Sequence, residues 1–465
     1  MYRNSALSAA GAMLCEHIQR EWANFQVQQN ELFIQMMLYQ VLQSENLVMG
    51  EDDETELLEL CFLAEWSELQ RRCTIIEAAD AALMNIQIGE RSIPRKPPVL
   101  ELRSFNLIDP AFVYHNLRFN LPDLITVFAA LDFPPTFKTK KGYVFTSEEA
   151  FIMTLYRLCE ARPFVKMVEI FGGESQRLTF MYRWILRFID HKINGLVYGD
   201  SMSRWVPSFP MFAEVIRKTI ETEWGIFFEP GEFPFFSFTD CTQTKTRTPG
   251  TGPAGEGRHA PRHADAELFD EAFYTRYGKI HGLKTISTVF PNGIIGWMMW
   301  GPVSVRENDI GVINLANYDQ YLVDIQPEVT ELLVQGNDVD YFTTYTDRIF
   351  GHLRAVSCAR KAPIGGELEQ IDVEVNDAMG SQRQCVEWPY ATIENLFKVL
   401  QTAATPYWRL LEKGRTSYDI PHIQLRVIYF FYNYYTAAYG RGTVNSHFET
   451  PPCGLDLYLE PLTSI

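Results

Sequence analysis

Three acids stand where chemistry could be done. Asp240 comes just past the mainly aromatic run FPFFSF, Asp347 closes TTYTD, and Glu387 lies within VNDAMGSQRQCVEWPYATIENLFKVL, Val375 to Leu400. A carboxylate ending each of two apolar strands and a third on a helix can converge at one end of a mixed sheet. Hard ions such as Mg²⁺ take oxygen ligands, and two of them can clamp the attacking and leaving oxygens of an in-line displacement. The chemistry that suits this triple is metal-dependent phosphodiester cleavage. The chain holds 58 acidic residues, so a triple alone carries little and placement must carry the argument.

Neighbouring residues leave some assignments open. Asp340 and Asp338 are fallbacks for Asp347, and Glu394, about two helical turns beyond Glu387, is a runner-up third acid. Arg383, one turn before Glu387, could steady the carboxylate, reach a phosphate, or simply be solvated. Pro389 removes a helical hydrogen bond, so the helix either begins near Glu387 or bends there. Asp309 in VRENDIG follows a strand pair. His281 and Lys284 share a strand on which Lys284 could face DNA, and neither has metal-ligand spacing.

The segments around the three acids resemble the DDE endonuclease domain of PIF/Harbinger-type transposases. The likeness rests on N-x-x-M-x-x-x-R-x-x-V-E-W, here Asn376, Met379, Arg383, Val386, Glu387 and Trp388. It extends to KIHGLKTISTVFPNGIIGWMMWGPVSVREND (Lys279 to Asp309) and to the tail GTVNSHFETPPCGLDLYLEPL, covering roughly residues 130 to 462. Departures are Thr346 where the family has Gly, Phe350 where it tends to have Tyr, and Pro389 where it more often has a small residue.

The resemblance implies an RNase H-like αβα nuclease domain in which Asp240, Asp347 and Glu387 are catalytic and hold two Mg²⁺, with Mn²⁺ able to substitute. It implies a DNA endonuclease and strand transferase acting on double-stranded DNA at terminal repeats and a target site. DNA contacts would come from Lys284 and Arg383, and Asp309 would play a structural or supporting part beside the site. The family commonly works with a separate Myb-like DNA-binding partner protein, and a nuclear location follows. The alternative from another class is a domesticated, catalytically silent DNA- or protein-binding descendant. A general RNase H-type nuclease lacks the helical unit described below.

These acids need elements to hold them. A 465-residue chain with 46% hydrophobic and 14% aromatic residues has material for two or three domains and a sizeable core. Eight cysteines without a C-x-x-C pair argue against a zinc ribbon or a disulfide framework and for a reducing compartment. The net charge of -17 is awkward for a nucleic-acid enzyme, because Lys and Arg contacts to phosphate supply most non-specific affinity. It is unevenly spread: residues 1–100 hold 15 acids against 7 Lys and Arg, whereas residues 151–192 hold 7 Lys and Arg against 4 acids. DNA contact is therefore expected in the middle of the chain.

No apolar run approaches the ~18 residues of a membrane span. The opening MYRNSALSAAGAMLC runs on into an amphipathic pattern without a clean cleavage site, which argues against a signal peptide. A soluble, intracellular protein without a membrane partner is expected.

The periodicities predict a mixed α/β protein in three parts. Residues 1–115 read as an acidic helical region, with helices within 10–90 as a packing or dimerisation module that would make a homo-oligomer and then the Pro-rich linker SIPRKPPVLEL. Residues 116–200 read as a helix-turn-helix-like unit. Thr146-Ser147-Glu148-Glu149 provides a cap, Gly172-Gly173 a break and Ser175 a second cap. Leu178, Tyr182, Ile185 and Ile189 form one stripe, with Arg183 and Arg187 opposite as candidate DNA contacts. An ordinary trihelical bundle with solvated arginines fits the same pattern. Residues 225–465 read as the nuclease domain: aromatic and β-branched strand runs, then helices from about Asn376. The Gly- and Pro-rich stretch 245–271 is a loop that either touches DNA or is inert.

Overall fold

The computed structural model describes residues 102–139, 142–228, 233–245, 274–275, 280–299, 303–326, 341–351, 353–363, 366–401, 419–440 and 442–463. The helices expected within 10–90, nearly all of the linker, the loop from 246 to 271 and the fallback acids Asp338 and Asp340 lie outside the described residues.

The chain forms two compact units, one of Met1–Pro94 with Thr136–Phe145 and one of Arg95–Pro135 with Thr146–Ile465. The described part of the first is essentially the pair β1 (Thr136–Lys138) and β2 (Val144–Thr146). Phe137 stacks on Phe145 across this pair, and Gly142, at φ +83°, makes the turn.

The second unit opens with α1 (Pro110–Leu117), α2 (Leu121–Ala130), α3 (Ser147–Glu160), α4 (Phe164–Phe171) and α5 (Ser175–Lys192). Thr146 caps α3 as expected, its hydroxyl accepting from the Glu149 amide at 3.2 Å. Helix α3 is buried over most of its length, so it is the pillar of the helical part. A buried Arg177–Glu149 pair at 2.9 Å ties α5 to it. Gly172 and Gly173 separate α4 from α5 with φ values of +67° and +75° that only glycine adopts readily. Ser175 is not the cap of α5: Glu174 holds that position without a side-chain bond, and Ser175 is the first helical residue. The stripe Leu178, Tyr182, Ile185, Ile189 is buried, while Arg183 is half-buried and Arg187 exposed.

After α6 (Phe209–Trp224) comes a mixed sheet that, among the described residues, has seven strands. In chain order they are β3 (Phe235–Lys245), β4 (Tyr274–Thr275), β5 (Ile280–Val289), β6 (Ile295–Met298), β7 (Val303–Ser304), β8 (Thr343–Tyr345) and β9 (Val356–Ser357). Antiparallel β5 flanks β3 on one side, with β4, β7 and β6 along its far edge, and parallel β8 and then β9 lie on the other. The aromatic and β-branched runs thus form the strands their composition predicts.

Side chains alternate across β3. Phe236 and Phe238 face one side, where they stack on Phe209 of α6 and on Phe448. Thr239 faces the other, towards α7 (Asp309–Leu315) and α8 (Tyr318–Asp324). There its hydroxyl meets those of Thr288, Thr344 and Tyr318 within 3.0 Å. Burial raises the Tyr318 hydroxyl to about 12, so this network stays neutral and each member satisfies its neighbours.

Helices close the unit: α9 (Gln370–Arg383), α10 (Glu387–Leu396), α11 (Asp419–Tyr439), α12 (Thr443–His447) and α13 (Leu455–Thr463). No helix among the described residues is long and apolar enough to cross a membrane. Helix α11 is buried along nearly its whole described length. Its Asn433 accepts from the Ile295 amide and donates to the Ile295 carbonyl, both at 2.8 Å, doing for edge strand β6 what another strand would do. Helices 116–200 and the sheet therefore belong to one compact unit, and the boundary expected near residue 200 marks a change of periodicity.

Arg426 of α11 grips Asp190 of α5 with two bonds of 2.6 Å in the interior. Removing one partner leaves a buried charge uncompensated, which costs about 3–5 kcal/mol, whereas an apolar pair of similar volume costs far less. Asp190→Ala should therefore lower the unfolding free energy by that amount. Asp190→Leu combined with Arg426→Met should recover most of the loss, as read by urea titration of the helical circular dichroism signal.

Candidate active site at the sheet edge

Strands β3 and β8 run parallel with Phe238 opposite Tyr345. Two residues beyond this pair stand Asp240, still on β3, and Asp347, just past the end of β8, so both acids lie at the same end of the paired strands. Asp240 is not at the end of β3. The strand runs on to Lys245, paired with β5 alone, and Asp240 sits where the parallel pairing stops. Asp347 leaves β8 by accepting from the Arg348 amide at 2.5 Å, which starts a 3₁₀ turn. Thr346, the departure from glycine, is buried and bonds the Ser357 carbonyl through both its amide and its hydroxyl. It locks β8 to β9 rather than loosening the turn.

Asp240 points to the helical side, with Phe236 and Phe238. Its Oδ2 receives the Arg383 guanidinium at 2.6 Å and its Oδ1 the Cys241 amide at 2.7 Å. Burial raises its carboxyl above the ordinary 3.8; Arg383 and the Cys241 amide pull it back, and Asp309 and Asp347 add to the rise. The two strand acids therefore feel one another, as like charges at a shared site do.

Glu387 begins α10, and a 3₁₀ turn over Gln384–Val386 joins it to α9. Pro389 explains the break, because it lacks the N–H that would bond the Cys385 carbonyl. The backbone from Arg383 to Glu387 nevertheless stays in the right-handed region at the residues flanking the turn. Arg383 ends α9 and Tyr390 lies in the first turn of α10, so the two reach Asp240 from either side of the 3₁₀ turn. Arg383 holds the Asp240 carboxylate. The Tyr390 hydroxyl donates to the Asp240 carbonyl at 3.3 Å and so accepts from Ser287 at 2.7 Å. Glu387, between them, is exposed, as is Glu394. Sequence reasoning missed Tyr390, although its place three residues after Glu387 was the available signal.

On the opposite face Asp309 starts α7 beside Lys284. The Lys284 ammonium is buried and donates to Asp309 at 2.7 Å and to the Glu307 carbonyl at 2.6 Å. This corrects the expectation that Lys284 faces DNA: its charge is spent on an internal acid. The Cys241 thiol also bonds Asp309, and burial pushes it well up, so it stays protonated. Arg383 is likewise engaged, with Asp240 rather than with Glu387.

The donors at this edge are chemically suited to a hard divalent ion, but their arrangement does not gather them round one. Among the described residues no group of three or more His, Cys, Asp or Glu side chains is grouped to hold a metal. Both oxygens of Asp240 have protein partners and Glu387 faces solvent.

Comparisons with protein-family models, curated proteins and solved structures give no match to this chain.

The raised carboxyl of Asp240 has a definite linkage sign. A folded value above the unfolded one means that the native state binds more protons, so this group's contribution to stability falls as pH rises from about 3.8 to the raised value and is constant above it. Asp240→Asn removes the titration. The melting temperature of Asp240→Asn relative to the parent should thus be most favourable at pH 7–8 and should decline on acidification. A relative gain on acidification would mean that the Arg383 pair outweighs burial.

Proposed function

We propose that this chain is a metal-dependent DNA endonuclease and strand transferase of the PIF/Harbinger transposase type, with an RNase H-like nuclease domain. The observation that carries the reading is the register of β3 on β8, in which Phe238 lies opposite Tyr345, so that Asp240 and Asp347 each follow that pair by two residues at the same end of the sheet. An antiparallel β6-β5-β3 half continued by parallel β8 and β9, with helices on both faces, supports the fold reading. The segments that resemble the family supply the third acid, Glu387, which begins the helix whose Tyr390 reaches the Asp240 carbonyl.

On this reading Asp240, Asp347 and Glu387 would hold two Mg²⁺, or Mn²⁺, which supply charge neutralisation at the attacking and leaving oxygens of a phosphodiester. The chain's own part is positional. Tyr390 and Ser287 hold the Asp240 backbone, Thr346 holds the turn that presents Asp347, and the α9–α10 junction carries Glu387. Arg383 already occupies one Asp240 oxygen, so that oxygen would be open to a cation only with the guanidinium withdrawn. Double-stranded DNA is the substrate, a Myb-like protein and a further copy of the chain are the partners that the resemblance suggests, and the site of action is the nucleus.

A second reading has its own observation. Arg383 on Asp240 and Lys284 on Asp309 are internal counter-charges of the kind that stabilise a site no longer used for metal, which favours a catalytically silent, DNA- or protein-binding descendant.

Cleavage of double-stranded DNA carrying the element's terminal repeats separates the two. In the endonuclease, Asp240→Asn and Glu387→Gln each abolish Mg²⁺- or Mn²⁺-dependent nicking and leave DNA affinity within about twofold, because only metal-binding charge is lost. A parent that binds DNA yet nicks nothing with either ion makes the silent descendant the correct reading.

The helical unit has a separate test. Replacing Arg183 and Arg187 together by Ala should lower the slope of log affinity against log salt by about two, roughly one per lost phosphate contact. An unchanged slope would reduce α3 to α5 to a packing bundle.

A further inference from the structure

The cations that the sequence singles out at the sheet are consumed internally, but another set emerges at the same edge. Residues 348–361 contain Arg348, Arg354, Arg360 and Lys361 and no acid, in a chain of net charge -17. The parallel pairing of β8 with β9 sets Tyr345 opposite Ser357. As Asp347 and Arg348 leave β8, Cys358 to Lys361 leave β9 beside them. Arg348 and Lys361 both act on the intervening Cys358 thiol, each drawing it down against the larger effect of burial, as expected of cations flanking one spot.

These four cations are not equivalent. Arg360 is paired with Asp372, and its backbone is bracketed by the Asn376 side chain at 2.8 and 3.0 Å. Arg354 reaches Gln320 and, at 3.7 Å, Asp319. Arg348 and Lys361 are exposed, and neither forms an ion pair among the described residues. Two exposed, uncompensated cations thus stand next to Asp347 on the side away from Asp240. Maintaining uncompensated charge of one sign beside an acidic pair is unfavourable to neither folding nor solubility, but it creates a local positive field that a polyanion can enter.

We propose that Arg348 and Lys361 form a sequence-independent track for the phosphodiester backbone of double-stranded DNA, leading across the ends of β9 and β8 to the acids Asp347 and Asp240. The proposal rests on the reading of this edge as a DNA-processing site and adds the contacts that hold the duplex there. Long flexible cations at the mouth, with the acids one strand further in, let phosphates be neutralised before the scissile group meets like charge. Arg360, held by Asp372, shapes the loop on which Lys361 is carried.

The test is duplex binding by the full-length chain, read by fluorescence anisotropy of a labelled duplex in EDTA across a salt series, so that no cleavage enters the measurement. Arg348→Gln with Lys361→Gln should lower the salt slope by about two and weaken affinity on the order of 10- to 100-fold at 0.1 M salt. Arg348→Lys with Lys361→Arg should retain the parental slope, which separates charge from damage to the fold. An unchanged slope in the double Gln variant overturns the track, and so does a parent that binds no duplex. A parent that binds through these two residues but never cleaves with Mg²⁺ or Mn²⁺ sinks the endonuclease reading and leaves the track standing.

Discussion

Parallel pairing of β3 with β8 brings Asp240 and Asp347 out at the same end of the sheet, and several contacts of the second unit bear on the charge placed there. Like charges at short range in a partly buried setting raise one another's cost of ionisation. The chain answers with a guanidinium from the end of α9 on Asp240, and with a buried ammonium from β5 on Asp309 nearby. The first pairing serves the end of the sheet where Asp240 lies, and the second joins β5 to α7 on the opposite face. The α9–α10 junction lies over β3, where Arg383 reaches Asp240.

The two faces of the sheet solve different problems. The face carrying Phe236 and Phe238 is closed by aromatic stacking against α6 and Phe448, which needs no directional bonds. The other face is floored by hydroxyls from three adjacent strands and closed by the Tyr318 hydroxyl. A threonine ladder of this kind is costly unless every hydroxyl is satisfied, and once satisfied it specifies strand register, since a one-residue slip would turn each hydroxyl to the wrong face. The register that brings Asp240 and Asp347 to one end of the sheet is thus enforced by polar bonds one residue away.

Much of this was legible in the sequence, and for physical reasons. Short aromatic and β-branched runs have period two, so β3, β5, β6 and β8 could be read, as could the Thr146 cap and the Gly172-Gly173 break. The strand acids were visible because each follows an apolar run. What could not be read is what depends on contacts distant in the chain. Lys284 looks like an exposed strand cation until Asp309 folds back on it 25 residues later. The central place of α11 was missed because an all-round apolar pattern shows no face. The onset of α9 at Gln370 rather than near Asn376 was hidden because QIDVEV alternates polar and apolar residues at the period of a strand, and its Ile371 and Val373 are exposed.

The charge bookkeeping of the chain then has a simple shape. A protein of net charge -17 repels DNA at long range, and among the described residues several cations are held in pairs: Arg177 with Glu149, Arg426 with Asp190, Arg383 with Asp240, Lys284 with Asp309. A paired cation releases no counterion when a phosphate approaches, because its counter-charge is already covalently part of the chain. Affinity for a polyanion can come only from cations left without a partner, or from a second protein that brings its own. On the proposed reading, Arg348 and Lys361 would therefore give only weak, local engagement of DNA, with the bulk of the affinity supplied elsewhere.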